Sequence, residues 1–378
     1  MTDGDQNIRE LLQRAIRAGS APGAVAAWRL AGGEVSVEAL GYSRVLPERV
    51  EVSGETWFDL ASLTKPLVTT TLTVLAFRSR AMAPTTRVGE VLTEARENEV
   101  GEVEVRHLLT HTAGLPAWLP LYCLAEGRRD LLVSRLAEMH LQAAPGEQVV
   151  YSCVGFVILG LMLERISDQD LGSLFRRDVL KVVGLEDQFG FHPDPAIQSL
   201  AGGAVKPAAE TRLINIRIFD QRWLPATGHH LPDDGNARFL GGVAGNAGLF
   251  GTARGVVVLA SEYLPGGGSL LSSAEAAEAI TPRTKGLAQG RAWGWQLAST
   301  PGCSAAPGFS KASFGHTGFT GVSVWCDPGT RNVSALLTNR NHPAQRENDL
   351  HPLRRRFHCL ASGRKPSIPG NEQCTDRS

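Results

Sequence analysis

Ser62 and Lys65 place a hydroxyl and an amine three positions apart at the start of an apolar segment that runs to Phe77. On a helix, residues three positions apart share a face. A serine becomes nucleophilic when a neighbour removes its proton, and lysine does this well when burial lowers its pKa. The positive end of the helix favours a developing oxyanion. The pair therefore predicts a nucleophile and its base, although an ordinary helix start with Ser62 or Thr64 as N-cap is the structural alternative.

Two later segments carry side chains that fit the same chemistry. The first is Tyr151-Ser152-Cys153, which follows a Pro-Gly pair, and the second is His316-Thr317-Gly318, which precedes an apolar run. A phenol close to a lysine can share a proton with it. Taken singly, Tyr151 fits a half-buried aromatic residue equally well, and His316 fits a histidine that only bonds backbone. Their order along the chain decides between these readings.

In order and rough spacing, the three segments resemble the S-x-x-K, Y-x-N and K/H-T-G elements of serine β-lactamases and penicillin-binding proteins. The pattern resembles most the class-C-type relatives, particularly the family VIII carboxylesterases, from about residue 21 to residue 358. Residues 108–116 and 241–250 add secondary matches. No G-x-S-x-G is present, which excludes the α/β-hydrolase alternative. The resemblance implies an acyl-enzyme mechanism with neither a cofactor nor a metal ion.

The resemblance also implies roles for single residues. Ser62 attacks a carbonyl carbon to form an acyl-enzyme, Lys65 helps to remove its proton, and Tyr151 passes that proton to the leaving group. The backbone N–H groups of Ser62 and Phe319 form the oxyanion hole. The segment that contains His316, Thr317 and Gly318 forms an edge strand along the cleft, where Gly318 lets substrate approach the backbone.

Two positions depart from the family pattern. Cys153 stands where the family usually carries Asn, and a thiol cannot make the paired hydrogen bonds of an amide. We therefore expect a more apolar setting for Lys65 and weaker recognition of acylamino groups, which favours esters over β-lactams. A catalytic Cys153 is the disfavoured alternative, because no histidine flanks it. His316 stands where many relatives have Lys, so a fixed charge for a substrate carboxylate is less assured.

The composition excludes several other classes of protein. The 378 residues include 38 basic and 38 acidic side chains, so the charge gives no reason to expect nucleic acid as a partner. Neither a signal peptide nor a membrane-spanning segment is apparent, and the six cysteines form no C-x-x-C pair, so we expect a cytoplasmic protein. His107 and His111 lack the glutamate of a zinc helix, and we expect them to be structural. A small-molecule ester or amide is the expected partner, and the sequence does not indicate the oligomeric state.

Hydrophobic periodicity predicts an α+β fold, with an antiparallel sheet flanked by helices and an inserted, mainly helical region. The predicted helices are 8–18, 129–140, 154–166, 253–263, 273–280 and 349–360. The predicted strands are 24–30, 35–40, 293–297, 321–326 and 333–338. We expect one catalytic domain over residues 1–363, whose α/β part covers about 1–85 and 241–363 and whose helical part covers about 86–240. Residues 364–378 are expected to be a disordered tail.

The sequence thus predicts a serine hydrolase that cleaves a small-molecule ester. An acyltransferase, or a weak β-lactamase or D-aminopeptidase, is the alternative that uses the same acyl-enzyme. A non-catalytic ligand-binding relative is the second alternative, and the presence of Ser62, Lys65 and Tyr151 together argues against it.

Overall fold

A computed structural model describes residues 3–194, 200–203, 223, 225–228, 230–344, 346 and 348–363. Its strands are β1 (Gly23–Arg29), β2 (Val35–Arg44), β3 (Val50–Glu51), β4 (Phe58–Asp59), β5 (Phe189–Gly190), β6 (Phe250–Gly251), β7 (Gln296–Leu297), β8 (Phe314–Thr317), β9 (Ser323–Asp327) and β10 (Asn332–Thr338). The predicted tail, 364–378, lies outside the described residues.

Helices precede, separate and follow these strands. The α-helices are α1 (Asp3–Arg17), α2 (Thr71–Arg78), α3 (Val88–Val91), α4 (Val105–Leu109), α5 (Leu121–Leu124), α6 (Leu132–Ala137), α7 (Cys153–Ser167), α8 (Leu171–Phe175), α9 (Lys181–Val183), α10 (Gly235–Phe239), α11 (Ala253–Ser261), α12 (Ser273–Ala279) and α13 (His351–Leu360). Short 3₁₀ turns are Ala61–Leu63, Thr93–Ala95, Glu99–Glu102 and Arg129–Leu131, and π-helical turns are Lys65–Thr70 and Arg176–Leu180.

The main sheet is antiparallel and joins strands from both ends of the chain. Among the described residues it has seven strands in the order β3-β2-β1-β10-β9-β8-β7. In its centre β1 pairs with β10, where Ala26 lies opposite Leu336. The predicted hairpin of β1 and β2 and the predicted α+β class are confirmed.

Both faces of the main sheet are covered at its centre. Successive side chains of a strand point to opposite faces. On β1, Ala26 and Trp28 accordingly pack with α1 and α13, whereas Val25 and Ala27 face the larger core. This larger core continues into the helices between β4 and β10, so the sheet forms a rigid support for the residues that follow β4.

A second, small sheet escaped prediction because its strands have two residues each. Its order is β4-β6-β5, and Asp59 of β4 pairs with Phe250 of β6. Two residues are too few to show the alternation of apolar and polar side chains by which a strand is predicted from sequence. The small sheet fixes the chain two residues before Ala61–Leu63, the turn that contains Ser62. Among the described residues, no helix has both the length and the apolar character needed to cross a bilayer.

His358 of α13 joins the terminal helix to the sheet. Its ring nitrogens hydrogen-bond Ser323 Oγ at 3.0 Å and Ser334 Oγ at 2.7 Å. Burial, with a smaller effect of Arg354, lowers the pKa of His358 from 6.5 to about 3. The ring is therefore neutral in the folded protein over the physiological range of pH.

Acid is expected to weaken the fold through His358. The unfolded chain binds a proton at this residue below about pH 6.5, whereas the folded chain binds it only near pH 3, so this contribution to stability is lost as the pH falls between these values. Between pH 7 and pH 5 the loss is about 2 kcal/mol. His358→Gln, which does not titrate, should lose that much less stability over the same interval in urea unfolding. Equal losses in the variant and the native protein would contradict the prediction.

Candidate active site

Ser62 lies in a 3₁₀ turn whose first residue has an unusual backbone conformation. Ala61 has a φ of 45°, a left-handed value that costs free energy for a residue with a side chain. The Asp59 carboxylate accepts a hydrogen bond from the Ala61 N–H at 2.8 Å, and its second oxygen accepts one from the Asp233 N–H at 2.7 Å. The turn that presents Ser62 is thereby fixed by a side chain of β4.

Asp59 is a residue that the motif search missed. Burial and the neighbouring Asp233 carboxylate raise the pKa of Asp59 to about 7. Nothing in the sequence marks it, since an aspartate two positions before a turn is common. Its part in the site appears only in the folded chain, where Asp233 lies beside it.

Lys65 begins a π-helical turn that packs against α7, and its side chain is fully buried. Its Nζ lies 3.0 Å from Ser62 Oγ, 3.4 Å from Cys153 Sγ and 3.0 Å from the Asn246 carbonyl oxygen. An ammonium has three N–H donors and no acceptor, so these three acceptors match its capacity. The predicted contact of Ser62 with Lys65 is present.

The expected fall in the pKa of Lys65 is wrong in direction. Burial acts to lower the pKa, but Cys153 and Tyr151, which are anionic when deprotonated, outweigh it and raise the pKa above its ordinary value. The surroundings of Lys65 are thus more polar than we expected from a thiol at position 153. Lys65 is therefore an ammonium at neutral pH, and the cluster of Lys65, Tyr151 and Cys153 must lose one proton before any of the three can act as a base.

Tyr151 lies beside Lys65, with the ring centroid 5.0 Å from Nζ. Burial raises the pKa of the phenol, and Lys65 opposes that rise. Its buried hydroxyl has no hydrogen-bond partner of ordinary geometry within the described part of the chain. The His111 ring packs on Tyr151 with centroids 4.6 Å apart, and His111 Nδ1 accepts the N–H of Ser152. The backbone that follows Tyr151 is thereby held in place.

Cys153 begins α7, where its N–H donates to the Ala117 carbonyl and the Ser152 hydroxyl caps the helix. Burial raises the pKa of the thiol, and Lys65 opposes the rise. The thiol is thus predominantly protonated, a state that does not favour Cys153 as a nucleophile.

His316 and Thr317 lie at the end of β8, with the His316 ring 5.7 Å from that of Tyr151. The predicted edge strand is wrong in one respect: β7 lies outside β8. Since β7 pairs only with Gly315 and Phe314, however, the part of β8 that carries His316 extends beyond it. Burial lowers the pKa of His316 well below its usual value, so the ring is neutral. Its Nδ1 donates to the Thr317 carbonyl, leaving the buried Nε2 with a lone pair and no partner in the residues described.

Gly318 and Phe319 follow β8 and lie against the turn that contains Ser62. A Cβ at Gly318 would lie 3.0 Å from the Leu60 carbonyl oxygen and 3.1 Å from Ala61 Cβ, so any side chain there would push the two segments apart. The Phe319 N–H donates to no group in the described part of the chain, and the side chain is 38% exposed. The geometry thus leaves this N–H available beside the turn of Ser62.

Two further residues of the site were missed. Asn246, within the glycine-rich run 241–251, supplies the carbonyl that binds Lys65. A Cβ at Gly245 would lie 2.0 Å from the Phe156 carbonyl oxygen, so the run packs directly on α7. Arg291 places its guanidinium carbon 5.5 Å from the Tyr151 ring centroid, and a lone arginine outside any motif gives no signal in the sequence.

His107 and His111 lie around α4, and Asp233 and Asp234 lie directly before α10. His107 lies in α4 and His111 in the turn after it. Within the described ranges, no three His, Cys, Asp or Glu side chains form a group suited to a metal ion. Asp233 contacts Asp59, and Asp234 caps α10, so both lie near the site, whereas His229 is outside the described residues.

A family model described as Beta-lactamase matches residues 5–358. An N-acetylmuramyl-L-alanine amidase of Bacillus subtilis (strain 168) is 25% identical, over 89% of this chain and 81% of that protein. A putative D-alanyl-D-alanine carboxypeptidase of Escherichia coli (strain K12) is 25% identical, over 79% and 73%.

Solved structures share the fold. EstCE1, titled a hydrolase with promiscuous acyltransferase activity, superposes with a TM-score of 0.73 at 23% identity, over 95% of this chain and 98% of that chain. A class C beta lactamase from Rhodobacter sphaeroides superposes with a TM-score of 0.70 at 18% identity, over 95% and 99%.

Proposed function

Because the chain belongs to the beta-lactamase family, a family of serine hydrolases, we propose that it cleaves a small-molecule ester through an acyl-Ser62 intermediate. The observation that carries the proposal is the contact of Ser62 Oγ with Lys65 Nζ at 3.0 Å, with Tyr151 against the same amine. These three groups supply a nucleophile and a path for its proton.

The proposed reaction has two halves. Ser62 Oγ bonds to the carbonyl carbon while its proton enters the Lys65–Tyr151 pair, and Tyr151 delivers that proton to the departing alcohol as the ester bond breaks. Water then attacks the acyl carbon and gives a proton to the same pair; the bond from Ser62 Oγ to the acyl carbon breaks, the pair returns the proton to Ser62 Oγ, and the acid leaves. We propose that the N–H groups of Ser62 and Phe319 bind the oxyanion in both halves. Residues 1–363 would form the single catalytic domain.

Acyl transfer is a second candidate, in which an alcohol or amine replaces water in the second half. The structural likeness to EstCE1, whose title names both activities, favours its inclusion. Addition of an alcohol acceptor would divide the product between acid and new ester if transfer occurs. Acid alone at every acceptor concentration would exclude it.

The test is a substrate panel: nitrophenyl esters of rising acyl length, a chromogenic cephalosporin and a D-alanyl amide. We expect the highest kcat/KM for an ester, because the thiol of Cys153 cannot donate to and accept from an acylamino group as an amide can. Faster hydrolysis of the cephalosporin than of every ester would overturn the proposed preference.

Cys153→Asn is expected to raise cephalosporin turnover relative to ester turnover by about tenfold, the effect of roughly one added hydrogen bond to the acylamino group. The ratio of the two kcat/KM values is the measurement. Cys153→Ser is the matched control, because a hydroxyl is polar but too short to form both bonds of an amide. An unchanged ratio in Cys153→Asn, or an equal rise in Cys153→Ser, would contradict the argument from the missing amide.

A further inference from the structure

Arg291 is a buried cation that the proposed reaction has not yet used. Its side chain is 4% exposed, and it lies in the loop between α12 and β7. Nη2 donates to Gln289 Oε1 at 2.6 Å, whereas Nε has no partner in the described residues. No carboxylate forms an ion pair with Arg291 within the described ranges. An unpaired buried guanidinium is costly to the fold, which calls for a compensating role.

The neighbour of this cation is the proposed proton carrier. The Arg291 guanidinium carbon lies 5.5 Å from the Tyr151 ring centroid, and Lys65 Nζ lies 5.0 Å from the same centroid. Both distances are within the range of a cation–π contact. Tyr151 therefore has two cations within 6 Å, and a negative charge on its oxygen would be attracted to both.

The other titratable groups around Tyr151 do not supply that charge. Burial lowers the pKa of His111 and of His316 well below their usual values, so both rings are neutral. The thiol of Cys153, on the same segment, is protonated because burial raises its pKa, and Asp234 at the start of α10 is not a cation. Although burial lowers the pKa of Arg291 to about 10, the guanidinium stays charged at neutral pH.

We propose, on the premise of the function proposed above, that Arg291 is the fixed positive charge of this cleft. It acts through Tyr151, as a positioning residue that stabilises the anionic form of the phenol when the cluster loses a proton. The charge that a lysine at position 316 would bring to the strand is thus supplied from the loop before β7. Arg291 serves the proton transfer and does not bind substrate.

The test measures activation of Ser62 without a known substrate. The rate of Ser62 phosphonylation by a neutral fluorophosphonate is followed by intact mass from pH 5.5 to pH 10. We expect Arg291→Met to react about 10- to 100-fold more slowly at pH 7, and its rate to rise with pH at a midpoint about one to two units higher, as the loss of a unit charge at this distance implies. Arg291→Lys should keep a midpoint near the native one.

Arg283→Met is the matched control. Arg283 belongs to the same loop and lies over the Trp293 ring at 4.7 Å, so its loss disturbs the loop without removing charge beside Tyr151. An equal slowing of Arg291→Met at every pH, or the same shift in Arg283→Met, would mean a structural role and would overturn the proposal.

A role of Arg291 in substrate binding would give a different result. A rise of KM in Arg291→Met for carboxylate-bearing esters alone, with unchanged phosphonylation, would replace the proposal by carboxylate recognition. Absence of phosphonylation in the native protein would instead reject the proposed function itself. The two failures are therefore distinguishable.

Discussion

Ser62→Ala is expected to lower ester turnover by about 10⁵- to 10⁶-fold, the loss typical of removing the nucleophile of a covalent mechanism. The variant should also take up no fluorophosphonate. The residue is half-buried in a turn that Asp59 holds, and an alanine fits that turn without new contacts, so the fold should persist. Stopped turnover with an unchanged melting temperature is the expected result.

Cys153→Ala is the control that separates the serine from the neighbouring thiol. Ser62 Oγ and Cys153 Sγ both accept a hydrogen bond from Lys65 Nζ, so either group is placed to react with an electrophile. We expect the Cys153→Ala variant to take up the phosphonyl group, and peptide mapping should locate the group at Ser62. Label retained in Ser62→Ala and lost in Cys153→Ala would reject the serine mechanism in favour of the thiol.

Lys65→Met is expected to slow the acylation of Ser62 by about 10²- to 10⁴-fold, the range for loss of a group that moves a proton in the transition state. The methionine keeps the length of the side chain but removes the donor to Ser62, Cys153 and the Asn246 carbonyl. The pre-steady-state burst of nitrophenol measures acylation directly.

Thr70→Val is the matched control for this variant. Thr70 lies in the same π-helical turn, is fully buried, and its hydroxyl has no partner among the described residues, so an isosteric valine removes no hydrogen bond. A native burst rate is expected. If Lys65→Met kept the native rate, Lys65 would be structural and the proton path would have to run through Tyr151 alone.

Much of the architecture could be predicted because it depends on long, periodic segments. The strands that begin at Gly23 and at Asn332 have seven residues each and are mainly apolar, and α7 is apolar over most of fifteen. Ser62, Lys65, Tyr151, Cys153 and His316 could be selected because short motifs mark them. The structure brings these five together, and their catalytic roles stay predictions.

The rest depended on contacts between segments that carry no pattern. Asp59 supports the turn of Ser62 only because a two-residue strand pairs with another far along the chain. Asn246 contributes a carbonyl, which every residue possesses, and Arg291 contributes a charge from a loop. The predicted fall in the pKa of Lys65 is wrong for the same reason. The sequence indicates that Lys65 is buried, but it does not show how close Cys153 and Tyr151 lie to the amine.

The pairing of β1 with β10 has a consequence for how the protein is made. Roughly 300 residues separate the two strands, so at about 5 to 20 residues per second the ribosome completes β10 about 15 to 60 s after β1. During that interval one side of β1 has exposed N–H and C=O groups that can pair with any other strand. We expect the emerging chain to need a chaperone at this stage, and the turn of Ser62 to reach its folded position only after β10 has paired with β1.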